Sequence, residues 1–397
     1  MPISARASLS LIVSATRFVK PIRRPDIPRA ADAACVAAVA PTGVDSVFAS
    51  LREELRAHAG SYVLLIALFA GVGLTPLPYV RSAPGSTYDA LGEINGTSLV
   101  SIEDSSQYPT DETTGQLRIL TVSQWGGPYG TLSWFDAARS LWDQAIYIIP
   151  TKFLFPPDAD PSAVRDESQI QFASAQSSAI GASFKYLDIP VREFTSIVYV
   201  DDASPNAKLL KVGDQLVSAD GEPIATIAEF SQVMSTKVVG DTISVVLKRG
   251  DQTKKVELTT YARPQETKVR IGVVLLTDFD PPMKLTFGLS EVGGPSAGLA
   301  FALAIVDKLN SVDLMRERSV AVTGEIDSEG NVGAIGGLPQ KMASAVRDGS
   351  RLMLFPRENC PINPDLVPTE LTLVPVRTLA EAVDVLSSKD SSTYPQC

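Results

Sequence analysis

Residues 62–80 read YVLLIALFAGVGLTPLPYV and carry no charged side chain. A run of that length can cross a hydrocarbon core of about 30 Å, so it predicts a transmembrane helix. Pro76 and Pro78 lie near its end, where a helix can stop. Tyr62 and Tyr79 fall where interfacial aromatics are usual. A signal peptide is the alternative reading, but residues 1–61 are a long lead-in with no convincing small-x-small cleavage site. Residues 1–80 hold eight Lys/Arg against five Asp/Glu, whereas residues 81–397 hold 27 against 40. Arg52 and Arg56 precede the run, and after Arg81 no basic residue occurs until Arg118. The positive-inside rule then predicts a single pass through the plasma membrane, with a poorly organised cytoplasmic tail over 1–61 and an extracytoplasmic part from residue 81 onward.

A chain of 397 residues is too long for one ordinary domain. Its 45% hydrophobic and 20% charged residues are a globular composition. A net charge of −10 excludes a nucleic-acid binder that relies on phosphate contacts. The one histidine, His58, precedes the apolar run. The exported part therefore cannot hold a Ser-His-Asp triad, a Cys-His pair or a His-ligated metal. Three cysteines (Cys35, Cys360 and Cys397) cannot make a four-cysteine zinc site, and no metal is expected. Cys360 and Cys397 share the exported side, where disulfides persist. They read either as a pair that ties down the tail 391–397 or as two free thiols.

Residues 81–114 are rich in Ser, Thr, Pro and Asp, with strand-like pieces such as 98–102. Residues 115–122 predict a strand, 134–149 a helix packed on the core, and 168–187 a long helix with apolar residues at helical spacing. The pattern changes over 194–260. A strand at 197–200 is followed by the turn Ser204-Pro205. Val212-Gly213-Asp214 leads into a second strand, and Asp220-Gly221 makes a tight turn. A short helix occupies 227–234, and a hairpin turns at Lys248-Arg249-Gly250. This order resembles a bacterial PDZ domain, which implies binding of a protein or peptide partner by strand addition. No Gly-Leu-Gly-Phe-like carboxylate loop is present. An unrelated small β-rich module is the alternative.

Residues 283–289 alternate as a strand. Gly293-Gly294-Pro295-Ser296-Ala297-Gly298 follows, then a nearly continuous apolar helix over 299–309. Glycines allow close approach of a substrate, and a helix N-terminus favours a developing oxyanion. The backbone at Gly294 and Pro295 is the expected oxyanion contact. Ser296 could be a nucleophile or a plain helix cap. A second segment runs Thr323-Gly324-Glu325, through a Gly-rich hairpin, to Gly336-Gly337-Leu338-Pro339 and a helix carrying Lys341. Without histidine, a serine nucleophile needs another base, and a desolvated lysine can serve. Alternatively, Lys341 is an ordinary solvated helix lysine.

Together the two motifs resemble the proteolytic domain of the Lon peptidase family, over residues 283–387. The resemblance implies Ser296 as nucleophile, Lys341 as general base, Thr323 as the hydroxyl that orients the lysine, and no cofactor. No Gly-x4-Gly-Lys-Ser/Thr loop occurs, so no ATP is expected. The order of anchor, PDZ and catalytic segment resembles the bacterial membrane-anchored, PDZ-containing Lon-like proteins, and 115–122 and 168–189 resemble front-half pieces of the Lon fold. The expected architecture is α+β: membrane helix 62–80, Lon-type domain in two parts (81–190 and 265–390), and PDZ 191–264 inserted between them. A tandem of separate domains is the rival arrangement. The expected function is an ATP-independent serine endopeptidase cleaving unfolded or membrane-proximal proteins. The alternative is a non-catalytic PDZ scaffold anchored in the membrane. The sequence allows a homo-oligomer without specifying one.

Overall fold

The computed structural model describes residue 53 and residues 58–397, apart from 104–106, 112, 141, 157–158, 264–265, 290–291 and 389. Most of the tail expected over 1–61, Cys35 included, lies outside the described residues. Helix α1 covers Ala59–Gly73. The sequence reading of a helix over 62–80 is corrected here. Pro76 and Pro78 cannot continue a helix, so Pro76–Leu77 pairs as a short strand with Leu132–Ser133. Strand β1 then begins at Tyr79 and runs to Asp89, with Val80 fully buried. Among the described residues, no helix is long and apolar enough to cross a membrane.

The largest core is built on a sheet of β1 with β2 (Gln116–Gly126), β3 (Tyr147–Pro150), β9 (Ser319–Val322), β10 (Leu352–Pro356) and β11 (Thr372–Val376). Among the described residues its order is β11-β10-β9-β2-β1-β3. β2, β9, β10 and β11 run parallel, and β1 is antiparallel to β2 and β3. The parallel strands read as short apolar runs because both faces are covered. Val320, Val322, Leu354 and Val374 face one cluster, which includes helix α5 (Gly298–Leu309); Ala321, Met353 and Phe355 face another with helix α6 (Leu338–Arg347). Every residue of α5 from Gly298 to Asp307 is buried, which explains a helix that is apolar all round.

Helix α3 (Pro161–Tyr186) packs on α5. It starts about two turns before the expected 168 because Asp160 caps it, accepting the Ser162 N–H at 2.8 Å, and Pro161 suits the first helical position. The helix expected over 134–149 is divided. Helix α2 covers only Trp134–Ser140, Asp143 accepts the Ala145 N–H at 2.9 Å in a turn, and Tyr147–Pro150 becomes β3. The carboxylate turn and the β-branched pair Ile148-Ile149 break the helix.

A separate β module lies between α3 and the α5 segment in the chain. Its strands are β4 (Arg192–Val200), β5 (Gln215–Ala219), β6 (Thr242–Arg249), β7 (Gln252–Thr259) and β8 (Val273–Asp280), in the order β7-β6-β5-β4-β8. Helix α4 (Ile227–Ser235) is closed by a capping box between Thr226 and Glu229. Ile197, Leu216, Ile243, Val245, Leu247 and Leu258 form the module's own core. Arg249 grips the fully buried Asp214 carboxylate with two bonds of 2.6 Å, tying the Gly-Asp turn to the hairpin. The sheet continues past the expected border at 264. β8 pairs with β4 from Val273↔Val200 to Asp280↔Arg192, a long-range partnership that local pattern does not reveal. Residues before and after the module share one core, since β2 pairs with β9 and Leu285–Phe287 pairs with Val100–Ile102.

Candidate active site

Ser296 sits on the turn entering α5. Gly294 has φ +83°, a conformation that glycine adopts without strain. The serine does not cap the helix: the first helical position follows Ala297, and no side chain caps this end. Its Oγ instead accepts a hydrogen bond from Lys341 Nζ at 2.8 Å. Lys341 comes from the first turn of α6. Gly337 begins that helix with φ +69°, and a Cβ there would come within 2.6 Å of Val122. Thr323 follows the end of β9 and is fully buried. Lys341 Nζ donates to its Oγ1 at 2.9 Å, and that hydroxyl reaches the Ser296 carbonyl at 3.2 Å. The Gly324 N–H donates to the same carbonyl at 2.9 Å. The three residues singled out in sequence therefore meet at one point.

Lys341 is only 2% exposed. Burial pushes its pKa down from 10.5 to about 7, against the opposing pull of the Glu325 carboxylate. A substantial neutral fraction near pH 7 is what a proton acceptor needs. The solvated-lysine reading is thereby removed. Burial in turn raises the pKa of Glu325, with Lys341 lowering it and Glu358 raising it.

Ser296 and Lys341 line a cleft of about 690 Å³ with Val122, Gln124, Tyr129 and Glu325. Among the described residues, Glu325 and Lys341 are its only charged lining groups. In sequence Glu325 is only the last residue of Thr-Gly-Glu and nothing local gives it a role; its interaction with Lys341 is a tertiary fact. The expected oxyanion contact at Gly294 and Pro295 is corrected. Proline has no N–H, and the Gly294 N–H already donates to the Ser168 carbonyl at 2.9 Å. The N–H groups of Ser296 and Ala297, which also line the cleft, have no protein acceptor among the described residues and are the available donors.

Cys360 and Cys397 are joined by a disulfide with a Cα–Cα distance of 5.5 Å. Beside it, Glu358 accepts the Ala334 N–H at 3.1 Å, and Asn359 exchanges two bonds with Ile335 at 3.0 and 2.9 Å. The bridge thus braces the loop that leads into α6. Among the described residues, no cluster of His, Cys, Asp and Glu could hold a metal.

Residues 236–388 match the Lon protease (S16) C-terminal proteolytic domain, and residues 178–260 match the PDZ domain. The chain thus carries a Lon-type serine peptidase domain together with a PDZ domain. The two matches overlap over 236–260, and the structure assigns most of that stretch to the β module. The Lon protease of Xanthomonas oryzae pv. oryzae is 35% identical over 129 residues, 32% of this chain and 15% of that one. The Lon protease of Azospirillum brasilense is 30% identical over 176 residues, 44% of this chain and 20% of that one. The matched part is thus a small fraction of the length of these relatives. Among solved structures, the PDZ domain of an SdrC-like protein from Listeria monocytogenes is 28% identical and covers 20% of this chain and 85% of that one, with a TM-score of 0.20.

Proposed function

We propose that this chain is a membrane-anchored serine endopeptidase that works without ATP. The observation that carries the reading is the buried Lys341 Nζ, 2.8 Å from Ser296 Oγ. Ser296 Oγ attacks the scissile carbonyl carbon and its proton passes to Lys341 Nζ. The carbonyl oxygen, now an oxyanion, takes the N–H groups of Ser296 and Ala297. The tetrahedral intermediate collapses, the C–N bond breaks, and Lys341 returns the proton to the leaving amine. Water then hydrolyses the acyl-enzyme with Lys341 again as base. Thr323 fixes the lysine between two hydroxyls.

An extended substrate suits the cleft. β2 pairs with β9 only as far as Ile119↔Val322, while its pairing with β1 continues to Gly126. One edge of residues 120–126 is therefore open beside Ser296, a place for a peptide to add as a strand. In the PDZ module, β8 is an edge strand with α4 packed against it, and we assign peptide recruitment there. Substrates are unfolded or membrane-proximal chains, as strand addition requires an extended segment. For the anchor we assign the apolar helix α1, whose Val63, Leu64, Leu65, Ile66, Leu68 and Phe69 are all exposed, with the catalytic part extracytoplasmic.

The test is proteolysis of an unfolded protein by the purified full chain, with and without ATP, together with flotation on liposomes. The reading expects ATP-independent cleavage that Ser296→Ala abolishes, and protein that floats. Cleavage that persists in Ser296→Ala would overturn it.

A further inference from the structure

We propose that the catalytic domain sits directly on the bilayer, with Trp134, Trp142 and Phe153 embedded in the lipid headgroup region. The inference rests on the anchoring reading above and adds to it a second contact, between the folded domain and lipid. Soluble surfaces bury large aromatics where they can, yet Trp134 is 52% exposed, Trp142 82% and Phe153 73%. These residues cluster where the chain enters the domain. Phe69, near the end of α1, packs edge-on against Phe135 at 5.7 Å. Pro76–Leu77 pairs with Leu132–Ser133, and Trp134 opens α2 immediately afterwards. The Thr151 N–H donates to the Pro78 carbonyl at 3.0 Å, which places the turn bearing Phe153 beside the same entry segment. Trp142 lies on the connection from α2 to β3. Lys152 Nζ stands 5.3 Å from the centre of the Phe153 ring, a cation suited to anionic headgroups. Tryptophan beside lysine at the end of an apolar segment is the composition of a membrane interface.

Length gives an independent argument. The 15 residues of α1 rise about 22 Å at 1.5 Å each, roughly 8 Å short of a hydrocarbon core of about 30 Å. Residues 76–80 cannot make up the difference, because they are strands of the domain. A short span is accommodated by thinning the bilayer and by drawing flanking residues into the interface. The flanking residues here are the exposed aromatics.

The chain's tryptophans are Trp125, Trp134 and Trp142, so intrinsic fluorescence reports on this face. The full chain would be placed in nanodiscs of phosphatidylcholine and phosphatidylglycerol, with plain lipid or lipid brominated near the top of the acyl chain. Bromine is expected to remove most of the emission of Trp134 and Trp142 in a Trp125→Phe variant. The double variant Trp134→Ser/Trp142→Ser of the full chain should keep its fold, its flotation and its activity on a soluble peptide. Equal emission in plain and brominated discs, from protein that floats, would overturn the seating while leaving the anchor intact. Tryptophans shielded from both bromine and aqueous acrylamide would mean that protein, not lipid, covers the face, and would also overturn it. Protein that does not float would remove both readings.

Discussion

Lys341 and Trp142 depart from the usual partition of side chains in opposite directions. The lysine is 2% exposed and the tryptophan 82%. In the cleft a group that water normally solvates is held inside. At the domain entrance, groups that a core normally takes up are left outside. The two departures differ in what completes them. The buried lysine meets its partners, Ser296 and Thr323, within the chain, and its lowered pKa is a property of the isolated domain. Among the described residues the exposed aromatics find no comparable cover, and under the seating proposed above they acquire it from lipid. The first region should therefore behave alike in detergent and in bilayer, and the second should not.

The most severe way to break the first half of this contrast is to remove either member of the pair. Ser296→Ala and Lys341→Ala should each lower kcat/KM by about 10⁴-fold or more, measured on a soluble peptide. Lys341→Arg should not rescue, because arginine does not release its proton. Lys341→Met separates catalysis from folding. Between pH 7 and 10.5 the unfolded state binds more protons at this position than the folded state does, so wild-type stability should rise with pH across that window. The methionine variant should lose that rise and, at pH 7, gain about 0.5–2 kcal/mol in thermal unfolding while remaining inactive. Thr323→Val removes the hydroxyl that holds Nζ, and a loss of roughly 10–100-fold in kcat follows from one charge-assisted hydrogen bond.

A milder change sharpens the electrostatics. Activity of wild type should fall as pH drops through about 7, where Lys341 takes up its proton. Because the Glu325 carboxylate favours the protonated lysine, Glu325→Gln should move this acid limb to lower pH. A profile of kcat/KM against pH checks the direction, and a limb that moves upward would remove Glu325 from the site's electrostatics. Cys397→Ser should cost about 2–4 kcal/mol of stability, read by denaturant unfolding. Its effect on activity should be smaller, since Asn359 and Glu358 keep their bonds to the loop before α6. The smallest effect belongs to Trp142→Ser in detergent, expected within about 0.5 kcal/mol of wild type, whereas bilayer seating should be weakened.

The turns that hold Ser296, Lys341 and Thr323 are legible in sequence because glycine and proline spell them out, whereas the meeting of the three residues is implied there only by the resemblance to the Lon peptidase family. A Gly-Pro-Ser turn and a Gly-Gly-Leu-Pro helix start are local and restrictive. The strand at 115–122, the hairpin at Lys248-Arg249-Gly250 and the helix at 299–309 are legible for the same kind of reason, through period and composition. What stayed hidden is non-local. The end of the apolar run, 76–80, is uncharged like the helix before it; its prolines mark a stop, but the strand partners, Leu132–Ser133 for Pro76–Leu77 and β2 and β3 for β1, are not in the local pattern. β8 is defined by β4, 73 residues earlier at the pair Val273↔Val200. The oxyanion donors could not be assigned until the Ser168 carbonyl was seen to occupy Gly294. The exposure of Trp134, Trp142 and Phe153 has no signature in sequence, since aromatic residues in a mixed segment read first as core.

The most direct test of the central claim is labelling by a serine-reactive phosphonate, read by mass spectrometry of the peptide containing Ser296 across a pH series. The account predicts a single adduct on Ser296, forming faster as pH rises through about 7 and absent in a folded Lys341→Ala variant. Equal labelling of that variant, or an adduct on another serine, would contradict it.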